Sequence, residues 1–177
     1  MNILLTGEVR VGKTTVCLRL VDILREYGIN PKGILTPAIY NSEGKKIGFN
    51  VLNITNNQSW LLAHTIQNLD GPRIGSYLFD QMALDCAIKV LETAFQSKNA
   101  IIFLDEIGPL ELKLNEGFAP ILESIPFHRT GHILIVVRYH ILNEFRQKFK
   151  DIDFIVFNVN LVNRDQIPRQ IIYQLSI

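Results

Sequence analysis

Two rhythms of apolar and polar positions run along the 177-residue chain. Residues 3–5, 100–104 and 133–137 are short runs with no polar member, the pattern of strands buried on both faces, and residues 154–157 read as a fourth such strand. From about Thr14 the rhythm changes. Cys17, Leu20, Val21, Leu24 and Tyr27 recur at three- and four-residue spacing and predict one buried helical face. Gly28 and Pro31 end that helix. Ala83, Cys86, Ala87, Val90, Leu91, Ala94 and Phe95 predict a second helix over residues 79–95. A short helix is expected over residues 117–124. The tail from about Asp165 is helical, with Ile167, Ile171, Ile172 and Leu175 on one side.

Two β-rich runs, residues 33–40 and 46–54, flank Asn41-Ser42-Glu43-Gly44 and predict a hairpin. Residues 55–70 are ambiguous: Asn56-Asn57 suggests a turn, and residues 60–64 a further strand. Buried strands alternating with amphipathic helices imply an α/β fold, a mostly parallel sheet flanked by helices with an early β-hairpin insertion. The length suits one domain spanning residues 1–177.

The first strand leads directly into Gly7-Glu8-Val9-Arg10-Val11-Gly12-Lys13-Thr14-Thr15. Gly7, Gly12, Lys13 and Thr14 satisfy the phosphate-loop pattern G-x-x-x-x-G-K-[ST]. Glycines at those positions let the backbone curl so that successive N–H groups point inward at phosphate oxygens. The helix that follows adds its positive end. Lys13 places a charge between β- and γ-phosphates, and the Thr14 hydroxyl suits Mg²⁺. A strand before and a helix after are the context the pattern requires.

Hydrolysis needs a second set of groups. The strand at residues 100–104 ends in Asp105-Glu106, and a parallel strand delivers its C-terminal residues to the sheet edge that carries the loop. Asp105 is the candidate metal-side acid and Glu106 the candidate to polarise water. The alternative is that these acids cap the following turn. Glu111 either joins the site from the next loop or is a solvated surface acid. Arg138, closing the strand at residues 133–137, is the candidate in-cis arginine for the γ-phosphate; the alternative is a strand-end charge reaching solvent.

Composition narrows the partners. Lys and Arg number 18 against 17 Asp and Glu, a net charge of +1. Without a basic excess, nucleic acid is not an expected partner. The two cysteines, Cys17 and Cys86, read as small core residues rather than a bridge. His64, His128, His132 and His140 are scattered and have no zinc spacing. No apolar run reaches the roughly 18 residues needed to span a membrane, and the first residues read as a strand rather than a signal peptide. A cytoplasmic monomer is expected.

The combined motifs resemble the cancer-related or thermophilic nucleoside-triphosphatase family. The similarity rests on Gly7-Glu8-x-x-Val11-Gly12-Lys13-Thr14-Thr15 and on Leu104-Asp105-Glu106-Ile107-Gly108-x-Leu110-Glu111-Leu112. Lys46-Ile47-Gly48-Phe49, Arg73-Ile74-Gly75-Ser76-Tyr77 and Asn163-Arg164-Asp165 follow in the family's order. The resemblance implies Mg²⁺-dependent hydrolysis of ATP, GTP and other nucleoside triphosphates with little base selectivity, on a RecA-like sheet. It implies that Gly7, Glu8, Val11, Gly12, Lys13, Thr14 and Thr15 cradle phosphate. Val9 and Arg10, which lie outside the family pattern, are expected to add backbone N–H groups to the loop, and Arg10 a charge beside the phosphates. The resemblance also implies that Asn163 and Arg164 approach base or ribose. For the last pair the residues alone support another reading, in which Asn163 or Asp165 caps the final helix and Arg164 is a surface charge. Pro168 makes Asp165 the better cap. The chain departs from the family at Val9-Arg10, where Pro-Gly is usual, at Pro109-Leu110, and at the strand before Arg138, which lacks an expected proline. Two other activities share such a loop, a P-loop nucleotide or small-molecule kinase and a slow nucleotide-binding switch. Arg138, Arg146, Lys148 and Lys150 form only a loose basic segment rather than an Arg-rich lid, which favours hydrolysis.

Overall fold

The computed structural model describes residues 1–127 and 130–177. Five strands pair in parallel in the order β10 (Ile155–Val159), β1 (Asn2–Gly7), β9 (His132–Val137), β8 (Ile101–Ile107) and β2 (Lys32–Leu35). The sheet then continues antiparallel through β4 (Lys46–Asn53), β5 (Ser59–His64), β7 (Tyr77–Phe79) and β6 (Arg73–Ile74), while β3 (Ala38–Tyr40) pairs with β4. This is the RecA-like α/β architecture, with β9 standing between the loop-bearing β1 and the acid-bearing β8.

Among the described residues six helices cover the sheet: α1 (Lys13–Glu26), α2 (Gln81–Phe95), α3 (Pro109–Leu112), α4 (Ala119–Leu122), α5 (Leu142–Lys148) and α6 (Ile167–Leu175). Alternation along the strands divides the core in two. Ile3, Leu5, Phe103, Leu134 and Val136 pack with α1 and α6 through Leu20, Leu24 and Ile171. Leu4, Leu104, Ile133, Ile135 and Val137 pack with α2, α4 and α5 through Leu84, Leu91, Leu122 and Phe145. Both faces of the central strands are therefore dry, which is why their sequences carry uninterrupted apolar runs.

Several expectations need correction. Tyr27 is not on the buried face of α1; it caps the helix end and is 60% exposed. The expected strand over residues 33–40 is broken at Thr36-Pro37, because β2 belongs to the parallel sheet and β3 folds onto β4. Helix α2 starts at Gln81, with the Asp80 carboxylate accepting from the Ala83 N–H at 2.7 Å, and Phe79 closes β7 instead. The helix expected over residues 117–124 shortens to α4. The last strand is shifted to β10 and is not buried: as an edge strand it leaves Ile155 and Val156 more than a third exposed. Asp165 caps nothing; α6 begins at Ile167 with no side-chain cap, and Asp165 pairs instead with Arg19 of α1. Helices α3 and α5 lie in segments for which no element was predicted. His128 lies outside the described residues.

Candidate active site

The loop between β1 and α1 takes the geometry that its sequence requires. Gly7 has φ 145°, and a Cβ there would collide with the Val159 carbonyl of β10. Gly12 has φ 98° and leads directly into α1, directing the helix's free N–H groups into the loop. Arg10 also occupies the left-handed region, at φ 67°, where an L-residue is strained and glycine is not. The Lys13 ammonium donates to the carbonyls of Gly7 at 2.9 Å and Glu8 at 2.8 Å, which holds it across the loop. Burial lowers its pKa, and the nearby charges of Glu106 and Asp105 oppose that shift.

The parallel register brings the acids to the same edge. Thr14 Oγ1 donates to Asp105 Oδ2 at 3.0 Å, joining loop to strand end. The same oxygen accepts from the Thr36 N–H at 3.0 Å and the Thr36 hydroxyl at 3.1 Å. Asp105 is 1% exposed, and its other oxygen, Oδ1, has no hydrogen-bond partner among the described residues. Burial, then the charge of Glu106, raises the Asp105 pKa to about 6, against the pull of the Thr36 and Thr14 hydrogen bonds. An uncommitted carboxylate oxygen beside a threonine hydroxyl fits Mg²⁺, an ion that takes oxygen ligands and keeps several waters. Among the described residues no group of three or more His, Cys, Asp or Glu is arranged for a metal. An ion held mainly by phosphate and water needs no such group.

Glu106 accepts from Arg138 Nε at 2.9 Å, an ion pair between two partly buried side chains. The Arg138 guanidinium also packs over Gly108, its Nε 3.3 Å from where a Cβ would stand. Glu111 neither joins the cleft nor sits in solvent. It is 4% exposed and accepts from the Gly108 N–H at 2.8 Å and the Phe118 N–H at 3.4 Å, tying the α3–α4 loop closed.

These elements surround a cleft of about 370 Å³, within the usual range for small-ligand sites. Of the residues expected at the site, Val9, Arg10, Gly12, Lys13, Thr14, Thr15, Asp105, Glu106 and Arg164 line it. Gly7, Glu8, Val11 and Arg138 are not among the residues that line it. Asn163 faces away from the cleft: its amide accepts from the Asn160 N–H and donates to the Asn158 carbonyl, both at 2.8 Å. That turn presents Arg164, whose guanidinium lies over Gly12. Leu18, Thr36, Pro37, Ala38, Tyr40 and Lys46 line the cleft as well, and of these Thr36 and Lys46 bring polar chemistry that the motifs do not announce. Thr36 sits at the end of a parallel strand, a position that strand-end logic could have flagged. Lys46 lies in an antiparallel extension and offers no such signal.

Comparison with known proteins finds similarity to nucleoside triphosphatases. A family model described as NTPase matches residues 2–172. The nucleoside-triphosphatase THEP1 of Methanopyrus kandleri is 33% identical, over 97% of this chain and 93% of its own length. That of Thermotoga petrophila is 34% identical, over 99% and 93%. The solution structure of a human cancer-related nucleoside triphosphatase superposes with a TM-score of 0.78 at 25% identity, covering 98% of this chain and 96% of that one.

Proposed function

This chain belongs to the NTPase family and hydrolyses nucleoside triphosphates, and we propose that it does so with Mg²⁺ and with roles divided between the phosphate loop and the end of β8. The observation that carries this reading is the 3.0 Å hydrogen bond between Thr14 Oγ1 and Asp105 Oδ2, which puts the loop hydroxyl and the strand-end acid side by side. Backbone N–H groups of Val9 to Thr15 and the Lys13 ammonium bind the phosphates. Thr14 and Asp105 would hold Mg²⁺, which when bound would supply electrostatic stabilisation of the charge on the phosphates.

Glu106 orients a water and accepts its proton as the oxygen–phosphorus bond forms and the bond to the β-phosphate oxygen breaks. Arg138 acts one step removed, as a positioning residue that fixes the Glu106 carboxylate through its Nε. Four cations (Arg10, Lys13, Lys46 and Arg164) and two acids (Asp105 and Glu106) line the cleft. Their formal excess of positive charge complements a Mg-triphosphate complex. Beyond Thr15 the wall is Leu18 and Arg164, an aliphatic face and a guanidinium plane. Such surfaces contact the face of a base rather than its edges, which supports low base selectivity.

The test is diphosphate release by the purified protein with no acceptor added, with Mg²⁺ and with chelator. Turnover should need the ion. Glu106→Gln should lower kcat on the order of 10²-fold or more while leaving triphosphate affinity intact. Release near background that rises only with a nucleoside or other acceptor would instead indicate phosphoryl transfer.

A further inference from the structure

The phosphate loop and the strand-end acids do not account for the antiparallel extension. Strand β4 pairs with β2 only at its far end, through Asn53 and Leu52, and its beginning runs on to pair with β3. Lys46, its first residue, thereby reaches the cleft wall together with Arg10 and Glu106.

The Lys46 ammonium stands 4.6 Å from the Phe49 ring centroid and 5.9 Å from that of Tyr77. Those two rings pack on each other at 5.2 Å. Tyr77 comes from β7, so the small β6–β7 hairpin props the platform on which Lys46 rests. The Lys46 ammonium makes no hydrogen bond and no ion pair among the described residues. Burial lowers its pKa, and Glu106 is the foremost charge raising it. The neighbouring cations are differently placed. Arg138 is committed to Glu106, and Arg164 lies over Gly12 at the start of α1.

We propose that Lys46 contacts the γ-phosphate and neutralises the charge on its equatorial oxygens in the transition state, so that the β-hairpin insertion supplies in cis a cation that the phosphate loop does not provide. The proposal rests on the hydrolytic reading of the cleft given above. Lys46 stays protonated throughout: water adds to phosphorus, the diphosphate leaves with the bonding pair, and Glu106 takes the water's proton. The aromatic platform holds the ammonium in place before substrate arrives, which makes its contribution preorganised.

The test compares Lys46→Met, Lys46→Arg, Lys45→Met and Glu106→Gln in the full chain. Lys45 is exposed and serves as the control. Readouts are kcat and KM for Mg-ATP, equilibrium binding of ADP, and binding of ADP with aluminium fluoride. Lys46→Met should lose about a hundredfold in kcat and bind the fluoride complex correspondingly less well, with ADP affinity unchanged. Lys46→Arg should recover most of the rate, and Lys45→Met should match the unmodified protein. Full turnover in Lys46→Met beside a dead Glu106→Gln overturns the role of Lys46 alone. Equal losses of ADP and ADP–fluoride affinity, or no rescue by arginine, also overturn it, since Lys46 would then be a packing residue of the hairpin. Full turnover in both variants would sink the division of roles proposed for the cleft, Glu106 included, and with it the role of Lys46.

Discussion

Replacing Glu111 with glutamine isolates the free energy of keeping one carboxyl group out of water. Glu111 is 4% exposed, and burial raises its pKa from 4.5 to about 7, against the opposing pull of the Gly108 and Phe118 N–H groups and the charge of Arg138. The folded chain therefore holds this proton more tightly than the unfolded chain does. The associated stability is complete below pH 4.5 and is lost as pH rises to about 7. At ~1.4 kcal/mol per pH unit, the full loss is on the order of 3 kcal/mol, most of which falls between pH 5 and pH 8.

Glutamine does not titrate. It can still accept from the Gly108 N–H, but its NH₂ then faces the Phe118 N–H, a mismatch costing about 1–3 kcal/mol at every pH. The informative quantity is thus the pH dependence of the difference between the two proteins, not its size at one pH. Urea unfolding of both at pH 5 and pH 8, without nucleotide, measures it, and equal m values would show that the unfolded states are comparable. Asp105 titrates in an overlapping range, but it is present in both chains and cancels. The difference should move by roughly 2–3 kcal/mol in favour of Glu111→Gln as pH rises. A difference that stays constant from pH 5 to pH 8 would refute the buried-acid argument.

Two further substitutions probe the mouth of the cleft. Arg138→Gln should release the Glu106 carboxylate and lower kcat about tenfold with KM little changed, and Arg138→Lys, which lacks the Nε donor, should recover only part; a rise in KM with kcat intact would mean that Arg138 binds substrate instead. Arg10→Gly should raise stability by about 1 kcal/mol, because glycine adopts φ 67° without strain, while weakening triphosphate affinity; unaltered affinity and turnover in steady-state and binding assays would show that Arg10 is only a solvated side chain.

What the sequence revealed follows from how each position gets its environment. Strands β1, β8 and β9 were legible because both of their faces are buried, so every position is apolar and no partner need be known. Strand β10 was misplaced because it is an edge, where one face admits either polarity. The phosphate loop was legible because its backbone curl constrains the letters themselves, and Asp105-Glu106 because a parallel strand sends its last residues to a known edge. Glu111 was not. An acid reads as exposed unless something donates to it, and its two donors come from loop backbone that folds back only in three dimensions. Asp165 was misread for the converse reason: its helix-capping chemistry was real, but Arg19, far away in sequence, competes for the same carboxylate. Lys46 marks the firmest limit, since Thr36 follows a parallel strand and falls under the same strand-end logic as Asp105. The place of Lys46 in the cleft is fixed by the β2–β4 and β3–β4 registers, and antiparallel register depends on which strand an insertion chooses as its partner, a choice no local pattern encodes. Where the site is built from one strand and its following turn, the sequence suffices; where an insertion completes it, only the pairing shows which side chains arrive.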